Sequence, residues 1–326
     1  MKRIVLPGTD LQVSVLGYGC ASFGSQLGDR EKLRLLHAAF DAGITHFDTA
    51  RVYGLGEAER VLGRFLTGRR DQVTVTTKVG LAPPPRSTWL TAARAVARRV
   101  VGTSPWLRRQ VRRGADALIS GGRFSVADAR ASLETSLREL NTQFVDILLL
   151  HECRVHDISE ELLESLNACV RTGMARYVGV ATDPATTADL LSRGHWFPTV
   201  IQIPRSFIEP TLGALPGGHG RATITHSVLA RDLAPLWTYV TASPARTRRW
   251  SEALQADCSN RDVLATLLLQ QVVMANPQGG VLFSSRRPER VRGNAEAVAR
   301  SRSAPEQMAA LARLIAELRA ASPANE

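Results

Sequence analysis

Short apolar runs, each followed by a segment of helical periodicity, recur along nearly the whole chain. Eight of them read as strands: Val15–Tyr18, Thr45–Asp48, Val73–Thr77, Val145–Leu150, Tyr177–Val180, Thr199–Ile203, Ala222–Thr225 and Gly280–Phe283. Leu33, Leu36 and Phe40 mark one intervening helix face; Leu133, Leu137 and Leu140 mark another. Gly43, Gly68 and Gly173 are placed to end helices, and Asp183-Pro184 to start one. Ser125-Val-Ala-Asp128 reads as a capping box. Val145–Leu150 is apolar apart from Asp146, as in a strand buried on both faces. Strands alternating with helices predict a parallel sheet. Eight such units in 326 residues predict an α/β (β/α)8 TIM barrel over a single domain, 1–326. Residues 1–14 are the N-terminal β-hairpin that closes the bottom, and Pro305–Leu318 is an extra C-terminal helix. The competing doubly wound sheet needs a GxGxxG turn after its first strand, and none follows Tyr18.

A long basic insertion, about 81–122, interrupts the pattern after the third strand. The formal net charge is +11, and the stretch from Arg86 to Arg123 holds nine arginines against one acid, Asp116. Elsewhere the charges nearly balance. A nucleic-acid surface interleaves basic and aromatic residues more widely, whereas this stretch has only Trp89 and Trp106. No nucleic-acid partner is therefore expected, and the insertion reads as a solvated basic segment or, more sharply, as a docking surface or an anion-attracting rim. No apolar run reaches the length of a membrane span, and the N-terminus lacks a leader pattern, so a cytoplasmic location is expected. Cys20, Cys153, Cys169 and Cys258 are widely spaced and read as reduced thiols. His151, Cys153 and His156 lack a second ligand cluster, so no metal is expected. The sequence carries no signature of oligomeric state.

Four polar residues stand at or just beyond strand ends: Asp48, Tyr53, Lys78 and His151. In a barrel of this kind, strand C-termini converge on one face. A phenol, an ammonium, a carboxylate and an imidazole together suit protonation of a carbonyl oxygen while hydride reaches the carbon. An ammonium beside the phenol is expected to lower the Tyr53 pKa. Taken singly, each residue is more simply a cap, a packing residue or a solvated edge. Their occurrence at successive strand ends favours the chemical reading.

The stretch Gly43-Ile-Thr-His-Phe-Asp-Thr-Ala50, followed by Tyr53-Gly54 and Glu57-Ala-Glu-Arg-Val-Leu-Gly63, resembles the longest signature of the aldo-keto reductases. Thr77-Lys78-Val-Gly80, Ser132–Leu137 and Val145–His151 are similar to that family's lysine strand, following helix and histidine strand. The likeness runs from the N-terminus to about Asn294. It implies that Tyr53 is the proton donor, Lys78 its activator, Asp48 the partner of Lys78, and His151 the carbonyl orienter. It also implies NADP(H), with NAD(H) the alternative, lying extended across the barrel mouth. The implied cofactor contacts are Gly19, Cys20, Asp48, Ala181, Thr182, Gln202, His226, Ser227, Leu229, Ser285, Arg286, Arg290 and Asn294. Gln202 would meet the nicotinamide amide, and the Ser285–Asn294 cluster the adenosine end and its 2′-phosphate.

Three positions depart from the family pattern. Ala181-Thr182 replaces Ser-Asn, leaving Thr182 as one polar contact for the carboxamide. His226 stands where an aromatic usually stacks on the nicotinamide, and Ser284 where a lysine is common. The resemblance implies reduction of an aldehyde, ketone or sugar-like small molecule. Oxidation of a sugar hydroxyl and a cofactor-binding regulatory role with little turnover are the alternatives. Substrate choice falls to the loops, among them 20–25, 81–122, 153–157 and 205–220, with Trp89, Trp106 and Trp196 as candidate pocket residues.

Overall fold

Strand β6 (Val145–His151) is buried at every position, as its apolar run requires, and pairs in parallel with β5 (Thr74–Val79) and β7 (Ala175–Ala181). The register sets Lys78 opposite Leu149 and His151 opposite Ala181. With β3 (Leu16–Gly19), β4 (His46–Asp48), β8 (Val200–Pro204), β9 (Ala222–His226) and β10 (Gly280–Phe283), these strands form a closed barrel in the order β10-β3-β4-β5-β6-β7-β8-β9. Strands β1 (Arg3–Val5) and β2 (Gln12–Ser14) form the antiparallel N-terminal hairpin. The structure is a computed structural model that describes residues 1–24, 27–83, 122–192, 198–209, 220–300 and 305–321. Most of the basic insertion, with Trp89 and Trp106, lies outside the described residues, as do Trp196 and the glycine-rich stretch 210–219.

The helices are α1 (Asp29–Asp41), α2 (Ala58–Leu66), α3 (Val126–Glu139), α4 (Glu160–Arg171), α5 (Pro184–Ser192), α6 (Val228–Thr241), α7 (Pro244–Leu254), α8 (Arg261–Ala275), α9 (Pro288–Arg300) and α10 (Pro305–Ala321). Several begin as their sequences dictate. Asp183 accepts from the Ala185 and Thr186 amides at 2.9 and 3.0 Å, and Asn260 from the Asp262 amide at 2.9 Å. The box at Ser125 is only half formed. Its hydroxyl accepts from the Asp128 amide at 3.1 Å, but the Asp128 carboxylate turns to that hydroxyl instead of the Ser125 amide. The first barrel strand begins at Leu16, one residue later than its apolar run suggests.

Backbone contacts gather the chain into two units. One comprises Met1–Tyr18, Ala38–His46 and Thr182–Glu326; the other Gly19–His37 and Phe47–Ala181. The first holds a core of Leu236, Trp250, Leu264, Leu268, Leu311 and Ile315 from α6, α7, α8 and α10. Helices α6 and α7 are not legible in the sequence. Pro235 interrupts the α6 pattern, and α7 is mostly polar, anchored by Trp250 and Leu254. In the second unit, Gly63 lets α2 approach the end of α3: a Cβ there would stand 2.3 Å from the Glu139 carbonyl.

The lone acid of β6 is a structural anchor of the second unit. Asp146 is buried and takes Arg70 at 2.8 Å, Arg176 at 3.1 Å and the Val75 amide at 2.8 Å. Arg70 also stacks over Phe144, 4.0 Å from the ring centroid. Removing the carboxylate takes the counter-charge from a partly buried guanidinium and the acceptor from the buried Val75 amide. Asp146→Ala is expected to cost about 3 kcal/mol in denaturant unfolding. A loss below ~1 kcal/mol would show that the ion pairs do not anchor the strand.

Candidate active site

Each of the four polar residues is delivered by its local backbone. Asp48 is the last residue of β4 and His151 the last of β6, and Lys78 is the penultimate residue of β5. Tyr53 opens a 3₁₀ turn, Tyr53–Leu55, held by its amide on the Ala50 carbonyl at 3.0 Å. The turn then reverses through Gly54, Leu55 and Gly56, with φ of 61, 59 and 86°. Gly54 is required there, because a Cβ would stand 2.7 Å from the Phe23 carbonyl.

The second unit brings all four side chains together. Lys78 Nζ donates to both Asp48 oxygens at 2.7 Å and to the Thr49 carbonyl at 3.0 Å. The ammonium lies 4.9 Å from the Tyr53 ring centroid. The Tyr53 ring stands edge-to-face with His151, centroids 5.9 Å apart. Asp48, Lys78 and His151 are buried, and Tyr53 is half-buried.

Burial alone would depress the Lys78 pKa, but Asp48 and then Tyr53 outweigh it and hold the pKa above its ordinary value. The stability this pairing contributes is therefore complete below about pH 10.4 and is lost only as the pH rises through the higher folded value. For Tyr53, Lys78 pulls the pKa down as expected, yet the net shift is upward. Burial raises the phenol's pKa, and the opposing pull of Lys78 does not cancel it, partly because Asp48 pushes the same way as burial. Titrated by tyrosinate absorbance with Tyr53→Phe as the subtraction, Tyr53 should give no signal below about pH 10. An earlier signal would mean that Lys78 dominates.

The support beneath this quartet is not announced by the strand-end residues. Glu59 is buried, takes Arg51 at 2.9 Å and accepts from the Thr77 hydroxyl at 2.6 Å. It thereby ties the Tyr53 loop to the strand that carries Lys78. The available signal was its register, since Glu59 falls on the same helix face as Leu62 and Leu66. Cys20 is fully buried, and burial followed by Asp48 pushes its thiol far above the ordinary range. Burial pushes Cys153 up to about 12. Both are unreactive thiols.

The remaining expected positions have varied settings. Gly19 ends β3, buried, and Ala181 ends β7, its carbonyl accepting from the Glu152 amide at 2.8 Å. In the first unit, Gln202 lies buried on β8, opposite Ile224. Thr182 is buried with its hydroxyl 2.6 Å from that of Thr187, a single bond that leaves part of its hydrogen-bonding capacity unused. His226 ends β9 with Nδ1 2.7 Å from the Ser227 hydroxyl. Leu229 packs against the helical core. Ser285 receives the Arg287 amide at 3.2 Å, and Arg286 is exposed. Arg290 and Asn294, on α9, line a cavity of about 360 Å³ with Asn260, Asp262 and Thr266 of the α8 N-terminus. Gly293 adds no side chain to that space, and Arg290 pairs with Asp262 at 2.9 Å. The cavity thus presents the Arg290 guanidinium and the Asn260 and Asn294 amides together with the Asp262 and Glu289 carboxylates.

Residues 15–316 match the model of the Aldo/keto reductase family. The chain belongs to the aldo-keto reductase family. Among curated relatives of this aldo-keto reductase is the D-threo-aldose 1-dehydrogenase of a Pseudomonas species. It is 33% identical over 192 residues, covering 56% of this chain and 53% of that protein. The chain spans about half the length of the first curated relatives it matches. Among solved structures, the holo form of an aldo-keto reductase from Bacillus halodurans superposes with a TM-score of 0.69 at 22% identity, covering 100% of this chain and 99% of that one. A glycerol dehydrogenase from Gluconobacter oxydans gives 0.72 at 20% identity, covering 99% and 97%. These two likenesses establish the barrel fold. No helix among the described residues is long and apolar enough to cross a membrane.

Proposed function

We propose that this aldo-keto reductase is an NADP(H)-linked oxidoreductase that reduces an aldehyde or ketone to an alcohol, through one barrel domain spanning 1–326. The observation that carries the reading is the Lys78 ammonium, clamped by both Asp48 oxygens beside the Tyr53 and His151 rings. A bound reduced nicotinamide supplies hydride to the carbonyl carbon. Tyr53 supplies the proton: its O–H breaks as the carbonyl oxygen gains negative charge, and the new O–H completes the alcohol. Lys78 stabilises the phenolate left behind, and Asp48 keeps Lys78 charged and fixed. His151 donates to the substrate oxygen and orients it. These donors act most strongly where charge develops, in the transition state.

Gln202, His226, Ser285, Arg286, Arg290 and Asn294 are the residues assigned to hold the cofactor, with Gly19, Cys20, Asp48, Ala181, Thr182, Ser227 and Leu229 as further contacts. The likeness to D-threo-aldose 1-dehydrogenase favours a sugar-like substrate and makes hydroxyl oxidation, the same proton path reversed, the second reading. Turnover is tested by following NADPH oxidation across an aldehyde panel and NADP⁺ reduction across an aldose panel. Tight NADPH binding with no turnover in either panel would reject the enzyme reading.

The Asp262–Arg290 pair yields a test of cofactor choice. A 2′-phosphate must share Arg290 with an acid that repels it. Asp262→Asn is therefore expected to tighten NADPH about two- to fivefold, a half-exposed pair being worth little more, and to leave NADH unchanged. Equal changes for both cofactors, measured by fluorescence titration, would remove Arg290 from phosphate recognition.

A further inference from the structure

Arg205 follows β8 directly, three residues beyond Gln202. It is 8% exposed, yet its Nε and Nη1 have no hydrogen-bond partner among the described residues. The next two acids after it in sequence, Glu209 and Asp232, are already engaged. Asp232 accepts from the Ser206 hydroxyl and, at 2.6 Å, from the Phe207 amide. Glu209 holds Arg231 at 2.9 Å. The ring of Phe207, 5.3 Å from the guanidinium carbon, is a weak partner for a full charge. Burial depresses the Arg205 pKa, with no compensating acid.

A buried guanidinium without a counter-charge is costly, and a buried polar group left unsatisfied calls for a physical explanation. The guanidinium fork matches the paired oxygens of a carboxylate or phosphate better than any other common ligand chemistry. Arg205 also stands at the C-terminal end of a barrel strand, where such barrels hold their chemistry. We propose that Arg205 is an anion-recognition residue that takes a carboxylate or phosphate group of the bound small molecule. That group belongs either to the carbonyl substrate, in which case the proposal rests on the reductase reading, or to the diphosphate of the cofactor.

The test uses the full chain and Arg205→Met, which keeps the apolar stem and removes the charge, with Arg205→Lys retaining charge without the fork. Loss of an unpaired buried charge should leave the ligand-free Tm equal to or above that of wild type. For a substrate anion, wild type should prefer para-carboxybenzaldehyde to para-methylbenzaldehyde in kcat/KM by about 10- to 100-fold, the range for hydrogen bonds to charged groups. Arg205→Met should abolish that preference with NADPH affinity unchanged. For the cofactor diphosphate, Arg205→Met should weaken NADPH and NADH alike, with the aldehyde preference unmoved.

If no aldehyde turns over, the reductase reading fails separately and thermal shifts decide the proposal. Terephthalate or inorganic pyrophosphate should then raise the Tm of wild type but not of Arg205→Met. A variant with a lower Tm and unaltered preferences and affinities would overturn the proposal and leave Arg205 a structural cation. Equal anion responses in the two proteins would overturn it as well.

Discussion

Tyr53→Phe should lower kcat by about 10²- to 10⁴-fold on any carbonyl that the wild type reduces, the usual range for loss of a positioned general acid. The substitution deletes one oxygen from a half-buried ring and keeps its edge-to-face contact with His151, so the fold has little reason to change. NADPH affinity should stay within about twofold, because a group acting mainly in the transition state adds little to ground-state binding. The measurement pairs steady-state kinetics with a cofactor titration on the same preparations. Equal kcat in the two proteins would remove Tyr53 from the proton path. An equal loss of cofactor affinity would make it a binding residue. The raised pKa of Tyr53 agrees with a donor that carries its proton at neutral pH.

The second large effect is on stability. Lys78→Met leaves the buried Asp48 carboxylate without the ammonium that meets both of its oxygens at 2.7 Å. Breaking a buried ion pair from one side costs about 3–5 kcal/mol, because the surviving charge keeps its desolvation penalty. Adding Asp48→Asn removes that charge, so the double variant should recover most of the loss. The double-mutant cycle in denaturant should therefore give a coupling of about 3 kcal/mol or more, at or above the top of the usual range. Additive losses would mean that the pair does not act as a unit. Neither variant should turn over, so the cycle separates the structural worth of the pair from its chemical role.

Most of the barrel was legible because buried parallel strands write themselves as apolar runs. Val145–Leu150 became β6 with its single acid intact, and Gly280–Phe283 became β10 without a change of bounds. What escaped was structure that local pattern does not encode. Helix α7 carries few apolar residues, and its place is decided by Trp250 and Leu254 reaching a core built from distant helices. Glu59 looked like an ordinary helix acid, until packing set it against Arg51 and Thr77. The hydroxyl of Thr182 also meets that of Thr187, a pairing that no local pattern announces.

By itself the sequence determined the periodicity, hence the barrel, and the residue types at the strand ends, hence the class of chemistry. Both follow from side-chain spacing of two along strands and 3.6 along helices, which is a local property. Only the tertiary structure decided the charges and their partners. Whether an ammonium meets a carboxylate, whether a phenol is desolvated, and whether Arg205 finds an acid all depend on contacts between segments far apart in the chain. Burial then fixes the sign of the result, raising the Tyr53 pKa against the downward pull of Lys78.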